Sequence, residues 1–288
     1  MGVVTVKDLE KYSPLFRGKV GNTFVKSLMR FTGVEKINRL HQWIEDNDIE
    51  YGPDAAKGIL DRAGIDYLVG NAQLLEHLPE GPFITISNHA YGHVDGITLV
   101  DMIGHIRPGA KVMVNKLLMY IRCLAPSFIS VDPTGSNRKA ATAESINGVR
   151  SALQTVRSGD PLCLFPSGAV SDLKIKEGWI IRDRDWQDAA IKLIMKAKVP
   201  VIPIRFFDRN SNFYYSLGLI DYRVRLLRLC HELTNKKGKS VRIGIGDIIS
   251  VEEQNKYTDL QEFKAFLRSK VYEMPLPELF TPRSELIL

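Results

Sequence analysis

From about residue 65 onward, short and nearly unbroken apolar runs alternate with longer stretches in which apolar residues return every three or four positions. The short runs are "DYLVGN" (66–71), "FITISN" (83–88), "AKVMVN" (110–115), "FISVD" (128–132), "PLCLFPSG" (161–168), "VPVIPIRFF" (199–207) and "KSVRIGIGDII" (239–249). Each is rich in aliphatic residues and bounded by Gly, Pro, Asn or Asp, which is the pattern of strands. Between them, "GITLVDMIGHI" (96–106), "LLMYIRCLA" (117–125), "RKAATAESINGVRSALQTVRSG" (138–159) and "WQDAAIKLIMKAK" (186–198) carry the helical period. Strands alternating with helices predict an α/β fold: a single mixed, largely parallel sheet flanked by helices. "YTDLQEFKAFLRSKVYEM" (257–274) predicts a closing helix, and the proline-rich tail after Pro275 predicts irregular chain.

The N-terminal region has a different pattern. Phe24, Leu28, Phe31, Ile37, Leu40 and Ile44 recur at roughly helical spacing with a break near Gly33, and Lys26, Arg30, Lys36 and Arg39 are interleaved. This predicts an N-terminal amphipathic helical hairpin. Such a hairpin can lie in a membrane interface or pack on its own domain, and periodicity alone leaves both open. The resulting organisation is a membrane-docking region over 1–60, an α/β domain over 61–252, and a C-terminal helix and tail over 253–288.

Composition narrows the class. With 44% hydrophobic and 25% charged residues, the 288-residue chain can bury an ordinary core. Lys plus Arg exceeds Asp plus Glu by 39 − 33 = 6. That excess suits an acidic partner, such as anionic lipid or an acidic carrier protein, or serves solubility alone. Cys123, Cys163 and Cys230 are far apart and odd in number, which argues against a disulfide framework or a zinc site. The N-terminus lacks the pattern of a secretory signal, and no apolar run approaches the ~18 residues of a membrane-spanning helix. No helix-turn-helix, zinc spacing or RNP-like aromatic pattern points to nucleic acid.

In α/β sheets, reactive groups gather beyond the C-terminal ends of the strands. Three loops leave such ends: 87–96, 165–172 and 205–211. The first reads "SNHAYGHVDG". Asp95 is placed to N-cap the following helix, with Gly92 in the turn. Asp95 is equally placed to hold the His89 ring, and a histidine held by a carboxylate is a general base. No GxSxG nucleophile elbow is present, so a His–Asp pair would activate a substrate hydroxyl or amine directly. The second loop, "LFPSGAVSD", offers backbone N–H groups around Pro166 and Gly168 to an anion or oxyanion. In the third, two prolines flank a short strand and suggest an edge or a tightly shaped wall.

"NHAYGHVDG", "FPSGAVS" and "VPVIPI", in this order and at these intervals, resemble the PlsC-like glycerolipid acyltransferase superfamily over about residues 66–250. Five residues separate His89 from Asp95 where that family has four. Ser167 stands where it usually has glutamate, and Val170 where it usually has arginine. The same departures mark a hemolysin-like subgroup with enzymes that O-acylate lyso-ornithine and lyso-glycine lipids, and the chain resembles that subgroup.

The resemblance implies a membrane-associated O-acyltransferase without cofactor or metal. It would move a fatty acyl group from acyl carrier protein or acyl-CoA to a lyso-lipid hydroxyl, working peripherally at the cytoplasmic face of the inner membrane against an anionic surface. His89 and Asp95 are the expected catalytic pair. Asn88, Gly96, Lys116, Arg138, Phe165, Pro166, Ser167, Gly168, Arg209 and Asn210 are expected at the substrate. An arginine fork suits phosphate, and Val170 cannot replace it, so an acceptor without a phosphomonoester is favoured. Lys116, Arg138, Arg205 or Arg209 would hold an aminolipid carboxylate. Alternative readings are acylation of lysophosphatidate and a non-catalytic membrane-binding protein. His93, usually glycine in that subgroup, is expected to belong to the loop or to a substrate wall. Tyr214 and Tyr215 are expected in the core, and "RVRLLRLCHELTNKKGK" reads as a solvated helix face or a contact for carrier protein or lipid.

Overall fold

The computed structural model describes residues 27, 33–131, 143–220 and 222–286. Helices α1 (Val34–Asp46) and α2 (Pro53–Ala63) lead into strand β1 (Ile65–Gly70). Then follow β2 (Ile84–Ser87), α3 (His93–Ile106), β3 (Lys111–Asn115), β4 (Phe128–Val131), α4 (Ala143–Arg157) and β5 (Leu162–Leu164). A two-stranded hairpin, β6 (Asp172–Lys174) and β7 (Ile180–Arg182), precedes α5 (Asp188–Ala197) and β8 (Val201–Phe206). The chain finishes with α6 (Asn212–Ile220), α7 (Tyr222–Thr234), β9 (Lys239–Ile245), α8 (Val251–Gln254), α9 (Leu260–Tyr272) and β10 (Phe280–Pro282).

The large sheet has the order β10-β1-β9-β8-β2-β5-β3-β4. From β8 to β4 all pairs are parallel, and β1 is parallel to β9. One antiparallel seam, Ile204↔Ile245 through Phe206↔Ile243, joins β8 to β9. β2 lies deep in the parallel half, and all four of its residues are buried, as a strand covered on both faces requires. Strand alternation sorts the core into two layers. Ile202, Ile204 and Phe206 face α1, α2 and α3, whereas Ile84, Ile86 and Val201 face α4, α5 and α9. α3 is apolar on every side and buried from Val94 to Gly104.

The expected α/β class, with one mixed and largely parallel sheet flanked by helices, is what the chain forms. Several local expectations need correction. Most of the N-terminal amphipathic hairpin falls outside the described residues, but its second arm is α1, whose Ile37 and Ile44 enter the core beside α2. "LLMYIRCLA" forms two short 3-10 segments, Lys116–Tyr120 and Arg122–Ser127, rather than one helix. The tail is not wholly irregular, because β10 pairs antiparallel with β1. β8 is central rather than an edge. Pro203 is tolerated there because it falls between the last β9 pair at Ile204 and the isolated bridge Val201↔Ile249, where no ladder bond needs its missing N–H.

Candidate active site

Strand β2 ends at Ser87, and the next two residues take different roles. Asn88 stays with the sheet. Its Nδ2 donates to the Phe206 carbonyl at 2.9 Å, and its Oδ1 accepts from the Phe206 N–H at 2.8 Å. A side-chain amide thus supplies one more rung beside β8, and β2 turns away without leaving polar groups stranded. Both polar ends of Asn88 are engaged in this way, so it positions the loop.

His89 leaves the sheet. Its Nδ1 lies 2.9 Å from Asp95 Oδ2. Asp95 is fully buried and accepts the backbone N–H groups of Tyr91 (2.9 Å) and Gly92 (3.0 Å). These donors compensate for taking the carboxylate out of water. With Asp95 on Nδ1, the proton sits there and Nε2 presents its lone pair. The His89 side chain keeps 18% of its surface accessible, and its ring lies 4.2 Å from that of Phe165, centroid to centroid.

Asp95 is not the N-cap expected from sequence. α3 begins three residues earlier, at His93, with Gly92 as N-cap and Asp95 in the first turn reaching back to the Gly92 amide. The resulting turn needs glycine. Gly92 has φ 88°, and a Cβ there would stand 2.9 Å from Val170 Cγ2 and 3.0 Å from Leu229 Cδ1. Gly96 lies one turn on, buried within α3.

The second loop grips the first. Ser171 donates its N–H to the His89 carbonyl at 2.8 Å. Asp183, just past β7, accepts the His89 N–H at 3.1 Å and the Ser171 hydroxyl at 2.6 Å, and Trp186 Nε1 lies 3.4 Å away. Burial pushes the Asp183 carboxyl above the usual carboxylate range, against the hydrogen bonds that it receives. Neither Asp183 nor Trp186 was singled out from sequence. The only signal was their place in "DRDWQDAA" after the second loop. Arg225 was missed as well. It is buried on α7 and bonds the Ser171 carbonyl at 2.9 Å, the Val170 carbonyl at 3.3 Å and Asp172 at 2.7 Å. The solvated face read for this helix therefore holds a buried cation.

Ser167 is 3% exposed, and its hydroxyl donates to the Ala169 carbonyl at 2.8 Å. Its backbone N–H finds no acceptor among the described residues. A buried N–H without an acceptor is expensive. The Gly168 N–H, by contrast, is taken by the Phe165 carbonyl at 2.9 Å, so it is not the free donor that the sequence suggested. Pro166 is buried beneath this turn, and its carbonyl accepts from the Gln187 N–H at 2.9 Å.

In the third loop, Asn210 Nδ2 donates to the Tyr91 carbonyl at 2.9 Å, and the Tyr215 hydroxyl to the Ala90 carbonyl at 2.7 Å. Asn210 therefore shapes the catalytic loop. Arg209 beside it is exposed, and so is Lys116 at the end of β3. Arg205 is corrected: its guanidinium bonds the Tyr272 and Met274 carbonyls at 2.6 Å each. Arg138 lies outside the described residues. His93 sits within reach of the field of His89, and burial pushes it down to about 4, so it is neutral near neutral pH. Val170, Tyr214 and Tyr215 form one small apolar cluster. Burial raises the Cys163 thiol to about 12, which keeps it protonated and a poor nucleophile near neutral pH.

A buried carboxylate and a histidine thus meet beyond the end of a parallel strand, beside the second and third loops. The chain matches the Acyltransferase family over residues 27–276 and belongs to it. It is similar to two curated proteins named lyso-glycine lipid O-acyltransferase. One, from Bacteroides thetaiotaomicron, is 29% identical over 231 residues, covering 74% of this chain and 81% of the relative. The other, from Phocaeicola vulgatus, is 26% identical over 282 residues, covering 93% and 94%. The protein is an acyltransferase related to the lyso-aminolipid acyltransferases. No helix among the described residues is long and apolar enough to cross a membrane.

Proposed function

We propose that this enzyme moves a fatty acyl group from a thioester donor, acyl carrier protein or acyl-CoA, to the hydroxyl of a lyso-aminolipid of the glycine or ornithine type at an anionic membrane surface. The observation that carries the reading is the contact of His89 Nδ1 with fully buried Asp95, in a chain whose curated relatives bear the name lyso-glycine lipid O-acyltransferase.

The chemistry follows from the tautomer. Nε2 of His89 takes the proton of the acceptor hydroxyl as its oxygen attacks the thioester carbonyl carbon. Asp95 orients the ring and stabilises the imidazolium. Negative charge on the carbonyl oxygen is met by the Ser167 N–H, which has no acceptor among the described residues. The tetrahedral intermediate then collapses, the carbon–sulfur bond breaks, and the departing thiolate recovers the proton from Nε2. No side chain forms a covalent acyl intermediate.

Val170 supports the choice of acceptor. It is 6% exposed and packs with Tyr214 and Tyr215, while the nearby Arg225 is committed to main-chain carbonyls and Asp172. The second loop therefore offers no free guanidinium fork to a phosphomonoester. Lys116 and Arg209, both exposed beyond the C-terminal ends of β3 and β8, are the cations assigned to an aminolipid carboxylate.

The test is acyl transfer from acyl carrier protein to lyso-aminolipids and to lysophosphatidate in detergent, wild type beside His89→Ala. Transfer to the aminolipid alone, reduced ~10²–10⁴-fold in the variant, is the expected result. Transfer to lysophosphatidate would overturn the acceptor reading, and an unaffected variant would overturn the mechanism.

A further inference from the structure

The β6–β7 hairpin grows directly out of the site. Its first foot follows Ser171, which bonds the His89 carbonyl, and its second foot precedes Asp183, which bonds the His89 N–H. Register Asp172↔Arg182, Leu173↔Ile181, Lys174↔Ile180 separates its faces. Leu173 and Ile181 pack inward on Val170, Tyr214 and Tyr215 and hold the hairpin upright. The outward end has the opposite character. Trp179 is 66% exposed, and Ile175 and Ile180 are 41% and 40% exposed.

The display of Trp179 is built into the backbone. Gly178 has φ 91° and Trp179 itself φ 62°, a region that bulky L residues rarely adopt. The Trp179 N–H closes the loop on the Lys174 carbonyl at 3.0 Å. The result aims an indole at solvent rather than into the apolar cluster one residue pair away. Charge follows the same division. At the base, Asp172 is paired with Arg184 and Arg225, and Asp183 is buried. Beyond the base the hairpin carries Lys174 and Lys176 against Glu177 alone, while Arg182 sits at the base opposite Asp172 and over the Tyr272 ring.

We infer that the β6–β7 hairpin is a membrane-docking element whose tip, Trp179 with Ile175 and Ile180, enters the interface of an anionic bilayer while Lys174 and Lys176 meet its head groups. Indole rings favour the head-group level of a bilayer, and lysine stems reach from apolar surroundings to charge. Three residues per strand rise about 10 Å, which is the depth scale of interfacial burial. A protein partner fits less well. A stable protein interface takes about 800 Å² from each side, far more than three side chains on a tip supply. The inference rests on the reading that the acceptor is a lipid, and it names the element that brings His89 to it.

The experiment uses the full chain and measures quenching of tryptophan emission by brominated phosphatidylglycerol vesicles, with phosphatidylcholine vesicles as the uncharged control. Trp43 and Trp186 contribute background, so wild type is compared with Trp179→Phe. A sedimentation assay on the same vesicles adds Ile175→Ser/Trp179→Ser. The expected results are quenching that depends on Trp179 and on anionic lipid, and at least tenfold weaker sedimentation of the double variant. Thermal unfolding and acyl transfer to a micellar acceptor stay unchanged. Equal quenching in wild type and Trp179→Phe would overturn the inference. So would retained sedimentation of the double variant together with slower transfer from acyl carrier protein, because the hairpin would then be docking the donor. A wild type that is quenched through Trp179 yet acylates no lyso-aminolipid would sink the acceptor reading and keep the docking element.

Discussion

Asp183 holds the main-chain N–H of His89 at 3.1 Å, while Asp95, from the other side, holds its ring. Two buried carboxylates thus fix one histidine, one through the backbone and one through Nδ1. Asp183→Asn retains one acceptor but turns an N–H group toward donors. We expect kcat to fall roughly a hundredfold from misplacement of the ring, with KM little changed. Loss of ~1–3 kcal/mol of stability accompanies it. Steady-state kinetics beside denaturant unfolding separates the two effects.

His93 gives stability a pH dependence with a definite sign. Burial lowers it from 6.5 to about 4, so between these values the unfolded chain takes a proton that the folded chain refuses. Stability therefore falls as pH drops through that window, by about 3 kcal/mol in all. Burial of His41 adds in the same direction. Urea unfolding at neutral and mildly acid pH should show this slope, and His93→Gln should flatten it.

Gly92→Ala tests the turn between the catalytic partners. The substitution meets both a positive φ and close contacts with Val170 and Leu229. It should cost about 1–3 kcal/mol, read from the urea midpoint, and lower activity with it.

Val170→Arg introduces the guanidinium that the resemblance would lead one to expect of a phosphate-accepting acyltransferase. Here it would place a charge among Val170's neighbours Tyr214 and Tyr215, close to buried Arg225. We expect about 3–5 kcal/mol of destabilisation and no gain of transfer to lysophosphatidate. A stable variant that accepts lysophosphatidate would reverse the argument from Val170.

The sheet and the His89–Asp95 pair were legible because they rest on local signals. Apolar runs of strand length reveal β2, β3 and β8, and a histidine followed by an acid reveals the pair. What escaped depends on long-range partners. Nothing in "RVRLLRL" distinguishes Arg225, which is buried on carbonyls about 55 positions earlier, from the other arginines of the stretch. Asn88 looked like a ligand for substrate because its partner, Phe206, lies 118 positions away. Asp95 looked like an N-cap because Gly–Ile–Thr resembles a helix start, whereas α3 reaches back to His93 once Gly92 adopts its positive φ. The β6–β7 hairpin was too short, at three residues a strand, to leave a period in the sequence.

The antiparallel seam between β8 and β9 decides how the far end of the chain reaches the His89 loop. A strand that ran with its neighbours would start at the opposite rim, and the helix before it would have to finish there too. Because β9 descends from the catalytic rim, α7 can lie across the top of the sheet and finish beside the reacting loops. There Glu232 accepts from the Ser211 hydroxyl at 2.7 Å, and Lys236 reaches over the Tyr91 ring. The shared reversal of β9 and its parallel neighbour β1 relative to β8 thus sets where this helix ends. It brings a helix coded more than a hundred residues after His89 back beside the histidine's own loop, where Leu229 stands near Gly92 and Arg225 bonds the Ser171 carbonyl.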